Sequence, residues 1–239
     1  MINNLEEFIT EFTKIKNQGW IRTHRSGNTG VGKTLEDLLG IQENNIQGPD
    51  FGIYELKSTR KQSKSMLTMI TKSPEPPKSN TYLRLKYGYS SNAYDNNEKV
   101  LHATLNAVSF TPIANTGLAL KIGFDKDKIF IQSNSEIENV FWSKEQLKIK
   151  FESKFKNQFV YVKADSRGSG INEEFHYTEA YLVHGFSYES IISLLQQGKI
   201  FVDLRIGQYP DGRTHDHGTA FRIRETDQYL LFKNIDRLV

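Results

Sequence analysis

Pro49-Asp50-Phe51-Gly52-Ile53-Tyr54-Glu55-Leu56-Lys57 reads as a turn running into a β-strand with charged residues at set positions. Side chains alternate faces along a strand, so Glu55 and Lys57 share one wall while Tyr54 and Leu56 point the other way. Asp50 precedes the strand, behind Pro49 and next to flexible Gly52, and can turn its carboxylate toward the same wall. Carboxylates held close together repel, which raises their pKa values unless a cation lies between them. Mg²⁺ suits such a pair, because it takes one or two protein carboxylates and fills its octahedron with water and substrate phosphate. Lys57 beside it would stabilise negative charge building on a phosphate. An ordinary strand with a surface Glu55–Lys57 pair, worth about 0–1 kcal/mol, fits the same letters. The spacing leaves both readings open.

Upstream, Gly27 to Thr34 (GNTGVGKT) matches the phosphate-loop pattern G-x-x-x-x-G-K-[ST]. A true phosphate loop leaves a buried parallel strand and enters a long helix. Here the preceding Trp20-Ile21-Arg22-Thr23-His24-Arg25-Ser26 carries three potentially cationic side chains, unlike the apolar run of a strand buried on both faces. The following residues predict a short helix capped by Thr34 and stopped by Gly40. No later apolar run ends in a magnesium-binding Asp, so an ATPase is disfavoured and Glu36 needs another explanation.

The 239 residues suit one large domain, 37% hydrophobic and 25% charged, with a net charge of +3. No apolar run approaches the ~20 residues that span a bilayer. The N-terminus has neither the basic nor the apolar region of a signal peptide, so a cytoplasmic location is expected. The absence of cysteine excludes disulfides, thiolate metal sites and cysteine nucleophiles. From Lys57 to Lys86 eight basic residues stand against one acid, a block that could face a polyanion or be a solvated surface.

Leu5, Phe8, Ile9, Phe12 and Ile15 predict an opening amphipathic helix. Strand patterns are expected at 52–58, 65–71, 100–108, 117–124, 129–132, 159–164, 175–183 and 200–206, with a further run at 214–223. Prolines at 74, 76 and 77 should end the sheet after residue 71. Helices are expected behind Ser143, Ser187 and Thr226, the first carrying Leu147, Phe151 and Phe155 on one face. Strands interleaved with helices predict an α/β (α+β) architecture, a mixed β-sheet flanked by helices.

P-D-x₄-E-L-K is the pattern of the PD-(D/E)-x-K nuclease superfamily. Together GNTGVGKTLEDLLG, PDFGIYELKS, KSMLTMITKSP, VDLRIG and THDHGTAFRI resemble, in order, the MvaI/BcnI group of type II restriction endonucleases, kin of the MutH nicking enzyme. The resemblance runs from the first helix to the C-terminus and is weakest over 80–155. It implies a single restriction-endonuclease-like domain over 1–239, with a catalytic half near 1–90 and DNA-recognition elements near 199–224. It also implies a monomer that cuts pseudopalindromic CC-N-GG sites in double-stranded DNA with Mg²⁺, one strand after the other, and a cognate DNA methyltransferase as its counterpart in a prokaryotic cytoplasm. Asp50, Glu55 and Lys57 carry over as metal ligands and catalytic lysine, with the Leu56 carbonyl a further ligand. Glu36 carries over as the helix glutamate that reaches the metal site, making the glycine run a loop beside DNA.

Asp203 and Arg205 share a strand face, and Arg can fork onto guanine O6 and N7 while Asp accepts from cytosine N4. The resemblance adds Arg222 as a second guanine reader and His215 as a base-reading histidine, with Tyr209 and His217 as further candidates. The bland readings are a surface Asp203–Arg205 pair and two turn histidines; a zinc site at His215-x-His217 lacks a third ligand. The tail block follows the MvaI-like version, and Thr71 stands where BcnI-like enzymes carry a histidine, which points to an A·T central pair, CC-W-GG. His24 beside the glycine run is a candidate phosphate contact, whereas His102, His176 and His184 lie in strand patterns and suit packing or surface roles. The competing functions are a MutH-like enzyme that stops at nicked circles and a catalytically silent DNA-binding module.

Overall fold

The computed structural model describes residues 2–41, 49–62, 66–90, 99–155, 157–209, 211–216 and 218–239. They cluster into two compact units interleaved along the chain: 1–65 with 155–187 and 225–239, and 66–154 with 188–224. The boundary near residue 65 falls earlier than the catalytic half expected over 1–90. The second unit takes in far more than the recognition elements near 199–224.

In the first unit, helix Leu5–Asn17 begins at Asn4, whose side chain accepts from the Glu7 N–H. Its Phe8, Phe12 and Ile15 are buried at helical spacing against Leu35, Phe51, Leu56, Val160 and Phe175. Phe8 stacks on both Phe12 and Phe51 with ring centroids 5.5 Å apart, tying the helix to the turn that carries Asp50. The sheet beneath runs Ile21–Arg22, Glu174–Phe186, Gln158–Arg167, Tyr54–Arg60, with Phe232–Arg237 also paired to Glu174–Phe186. Tyr54–Arg60 lies at an edge of this sheet, parallel to Gln158–Arg167, while the other pairings are antiparallel.

The second unit holds an antiparallel sheet ordered Met66–Thr71, Ala220–Arg224, Ile200–Gln208, Lys99–Leu105, Tyr89–Ser90, with Thr214–Asp216 folded back onto Ile200–Gln208. A second antiparallel sheet comprises Thr111–Pro112, Ala119–Phe124, Lys128–Ser133 and Ile137–Ser143. Helices Ser79–Tyr87, Lys144–Lys154 and Tyr188–Gln196 belong to this unit. Phe221 receives the edges of Trp142 and Phe151, so strand Ala220–Arg224 is anchored from its apolar side.

Several elements depart from the expectations. The helix after the glycine run spans Gly30–Leu38 with Thr29 at its N-cap; Thr34 is buried inside it, not capping it. Ser79–Tyr87 was hidden because buried Arg84 interrupts its apolar stripe. Ile137–Ser143 was hidden because buried Glu138 shares the inward face with Val140 and Trp142. Behind Thr226 the chain forms the 3₁₀ segment Glu225–Leu231, then strand Phe232–Arg237. Only Phe232 of that strand is buried, so no alternation marks it, and ladder pairing with Glu174–Phe186 holds it.

Candidate active site and DNA-reading strands

The turn before strand Tyr54–Arg60 is closed by the Asp50 and Phe51 N–H groups donating to the Tyr54 carbonyl, and by the Tyr54 N–H donating to Phe51 at 2.8 Å. Gly52 takes φ +52°, and a Cβ there would lie 2.7 Å from the Asn3 carbonyl oxygen, so the turn requires glycine. This folds Asp50 back onto the strand, where its Oδ2 accepts from the Leu56 N–H at 2.6 Å. A residue's N–H and C=O leave a strand on the same side. The Leu56 carbonyl is therefore turned to the edge that faces Asp50, away from Gln158–Arg167.

Lys57 Nζ donates to Glu55 Oε1 at 2.7 Å, as expected for alternate positions on one face. The Asp50 pKa is raised, first by burial and further by the Glu55 charge, against the opposing pull of the Leu56 N–H and Lys57. Asp50 as a whole residue is exposed, but its carboxyl tip is tucked against the strand, and the tip's surroundings set its proton affinity. Asp50, Glu55 and Lys57 thus converge. Glu36, on helix Gly30–Leu38, lines a cavity shared with Leu56, Lys57 and Ser58. Among the described residues no three His, Asp or Glu side chains form a metal cage. A hydrated divalent ion needs none, because one or two carboxylates suffice when water and phosphate complete its shell. The Asp50 and Glu55 oxygens with a backbone carbonyl are the hard donor set such an ion takes.

The glycine run is not a phosphate loop, since Gly30 and Gly32 lie within the helix and the strand before it, Ile21–Arg22, is antiparallel to its neighbour. Arg60 pins the run, its guanidinium donating to the Gly27 and Asn28 carbonyls at 3.0 and 3.1 Å while forking onto Glu173. His24, a candidate phosphate contact from the sequence, pairs with Asp37 at 2.9 Å. Much of the basic block is likewise committed internally: Lys61 pairs with Glu179, Lys86 with Glu136 and Glu138, and buried Arg84 donates to Gln208 and Thr214. His176 approaches the Lys16 carbonyl and His184 pairs with Asp236.

On the second unit, Asp203 is 1% exposed. Its Oδ1 accepts from Thr104 Oγ1 at 2.7 Å and pairs with Arg205 at 3.0 Å; its Oδ2 accepts from Arg222 at 2.8 Å. Arg222 also donates to Thr68 Oγ1 at 3.1 Å. Asp203 was expected to accept from cytosine, but both its oxygens are engaged and enclosed, so it is placed to hold the two arginines. Arg205 and Arg222 keep partly exposed guanidiniums. Thr68 and Thr104 went unnoticed because strand pairing alone sets them beside charges distant in sequence. Tyr209 and His215 stack with centroids 4.4 Å apart, and Arg213 lies 5.5 Å over the Tyr209 ring. His217 lies outside the described residues, as do Ser65 and Pro210.

An acid-and-lysine strand at the edge of a mixed sheet is chemically suited to metal-assisted hydrolysis of a phosphodiester. Residues 9–232 match the MvaI/BcnI restriction endonuclease family. A solved structure of the restriction endonuclease MvaI in complex with cognate DNA superposes with TM-score 0.71 at 32% identity, covering 100% of both chains. MvaI in the absence of DNA gives 0.68 at 31% identity, covering 100% of this chain and 99% of that one. No curated protein matches the chain. The chain belongs to the MvaI/BcnI restriction endonuclease family and is a type II site-specific deoxyribonuclease acting on double-stranded DNA. Enzymes of this family work with divalent metal ions.

Proposed function

We propose that this enzyme hydrolyses DNA at CC-N-GG sites, with A·T at the centre (CC-W-GG), as a Mg²⁺-dependent monomer that cuts the strands in turn. Its two units would work as one restriction-endonuclease-like domain over 1–239. The observation that carries the catalytic half is the convergence of Asp50, Glu55 and Lys57 on one sheet edge. Asp50, Glu55 and the Leu56 carbonyl would hold the ion, with Glu36 nearby. When bound, Mg²⁺ supplies a Lewis acid for a phosphoryl oxygen and lowers the pKa of water. Lys57 then exchanges its pairing with Glu55 for the scissile phosphate and stabilises the charge that builds there.

Arg205 and Arg222, aimed by Asp203, would each fork onto a guanine, which suits a G·C-rich site. The stacked Tyr209 and His215, with His217, would complete base reading. For the central pair, the support is Thr71 at the end of strand Met66–Thr71, where the BcnI-like version has a histidine. No helix among the described residues is long and apolar enough to cross a membrane. A prokaryotic cytoplasm, with a cognate methyltransferase protecting host DNA, is the setting proposed. Incubating unmethylated plasmid with Mg²⁺ and sequencing the ends tests the reading. Linear product with ends at CC-W-GG is expected; nicked circles only, or ends at CC-S-GG, would overturn the corresponding part.

A further inference from the structure

Beside the catalytic strand lies a cavity of ≈ 250 Å³ whose wall includes Arg25, Gly32, Lys33, Glu36, Lys57 and Ser58. Lys33 pairs with Asp37 at 2.8 Å and Lys57 with Glu55 at 2.7 Å, so the wall offers ammonium groups that an incoming phosphate can share with their carboxylates. The volume falls short of the ~300–1,000 Å³ that small-molecule ligands occupy, which suits a charged group on a passing chain better than a free nucleotide. Ser58 Oγ is buried and has no hydrogen-bond partner, an arrangement that native proteins seldom leave without a ligand or water. Gly32, on the adjoining helix, holds the space open: a Cβ there would lie 3.7 Å from Ser58 Oγ and 3.9 Å from Glu36 Oε1. Both are ordinary contact distances. The missing methyl is therefore not demanded by packing.

We propose that this cavity seats a backbone phosphate of the cleaved DNA strand next to the scissile one, with Ser58 Oγ donating to it and Gly32 giving it room. Lys57 is part of both the cavity wall and the Glu55 pair, so a phosphate seated here fixes the strand's position relative to the catalytic carboxylates. Arg60, bonded to the Gly27 and Asn28 carbonyls, keeps the rim of the cavity in place. The glycine run then has a job unrelated to nucleotides: Gly32 is small because DNA passes close to it. This inference rests on the nuclease reading above.

The test is a cycle between protein and DNA. Cognate duplexes carrying a single uncharged methylphosphonate at each position flanking the cut are titrated, without cleavage-supporting metal, against the wild type, Gly32→Ala and Ser58→Ala. Alanine is the better helix former and meets no close contact at position 32. Removing the Ser58 hydroxyl leaves no partner unsatisfied. Both variants should keep the wild-type melting temperature. For one non-scissile phosphate, neutralisation should weaken wild-type binding roughly tenfold or more, the worth of a hydrogen bond to a charged group. The same neutralisation should have little effect in either variant, because the contact is already lost. The slope of log K against log salt should become shallower by about 0.9 in Gly32→Ala, one phosphate contact fewer. Equal methylphosphonate penalties in all three proteins, with an unchanged salt slope, would overturn the proposal while leaving the nuclease reading intact. Failure of the wild type to bind or cut duplex DNA would instead overturn the nuclease reading.

Discussion

Strands Tyr54–Arg60 and Ile200–Gln208 each carry an acid and a base two residues apart, Glu55-x-Lys57 in the first unit and Asp203-x-Arg205 in the second. In the first, both partners are partly open, their side chains 26% and 38% exposed. In the second, the acid is enclosed and the arginine side chain is 40% exposed. An open pair at high dielectric is worth about 0–1 kcal/mol and can trade partners for a cation and a phosphate. An enclosed carboxylate cannot give up its partners cheaply, because a buried unpaired charge is far more costly. The same spacing therefore makes an exchangeable pair at one strand, the one we propose for catalysis, and a fixed mount for two arginines at the other, the ones we propose as base readers.

The largest effect should come from removing the exchangeable side. Chelation of divalent ions with EDTA should abolish cleavage, and Lys57→Ala should lower the single-turnover cleavage rate by about 10²–10³-fold or more while duplex binding persists in a gel-shift titration. A normal rate in Lys57→Ala would remove the lysine from the chemistry. Next, Asp203→Asn should leave the arginines without a charged mount and relax discrimination at guanine by about 1–3 kcal/mol per contact. Competition binding with single-base variants of the site measures this; cytosine-specific loss alone would return Asp203 to the role of a reader. Arg60→Ala should reduce stability by about 2 kcal/mol, from lost charge-assisted hydrogen bonds to Glu173 and the glycine run, read from the urea midpoint.

The smallest effect concerns Glu138, a second enclosed acid holding a partly exposed base, Lys86. Burial raises its pKa, but hydrogen bonds from Tyr82, Tyr87 and Lys86 outweigh burial, and the net shift is downward. A depressed folded-state pKa contributes stability above the unfolded value, about 4.3, and that stability is lost as pH falls through the lower folded value. Glu138→Gln should flatten the acid limb of the stability–pH curve below about pH 4.3 without altering cleavage near neutrality. An unchanged acid limb would show that the enclosure argument fails even where no ligand intervenes.

What could be read from the chain was whatever is local. Asp50, Glu55 and Lys57 converge because a glycine turn and a two-residue period suffice to bring them together, and both lie within eight residues of sequence. The opening helix, with Phe8, Phe12 and Ile15 inward, was legible for the same reason. The helix at Gly30 was misplaced because its start depends on contacts elsewhere: Thr34, a cap by its residue type, is enclosed by tertiary packing and accepts from the His24 N–H. Ser79–Tyr87 and Ile137–Ser143 escaped because a buried Arg84 and a buried Glu138 look like surface residues until their partners are known.

Residue types and short spacings thus suggested the chemistry we propose: hard oxygen donors beside a lysine, and arginines suited to guanine. Which charges are free to act and which are locked depended on the folded chain, since burial is a property of the neighbours. Asp203 is enclosed by Thr104, 99 residues away, and by Arg222 on the neighbouring strand, and no local pattern encodes that enclosure.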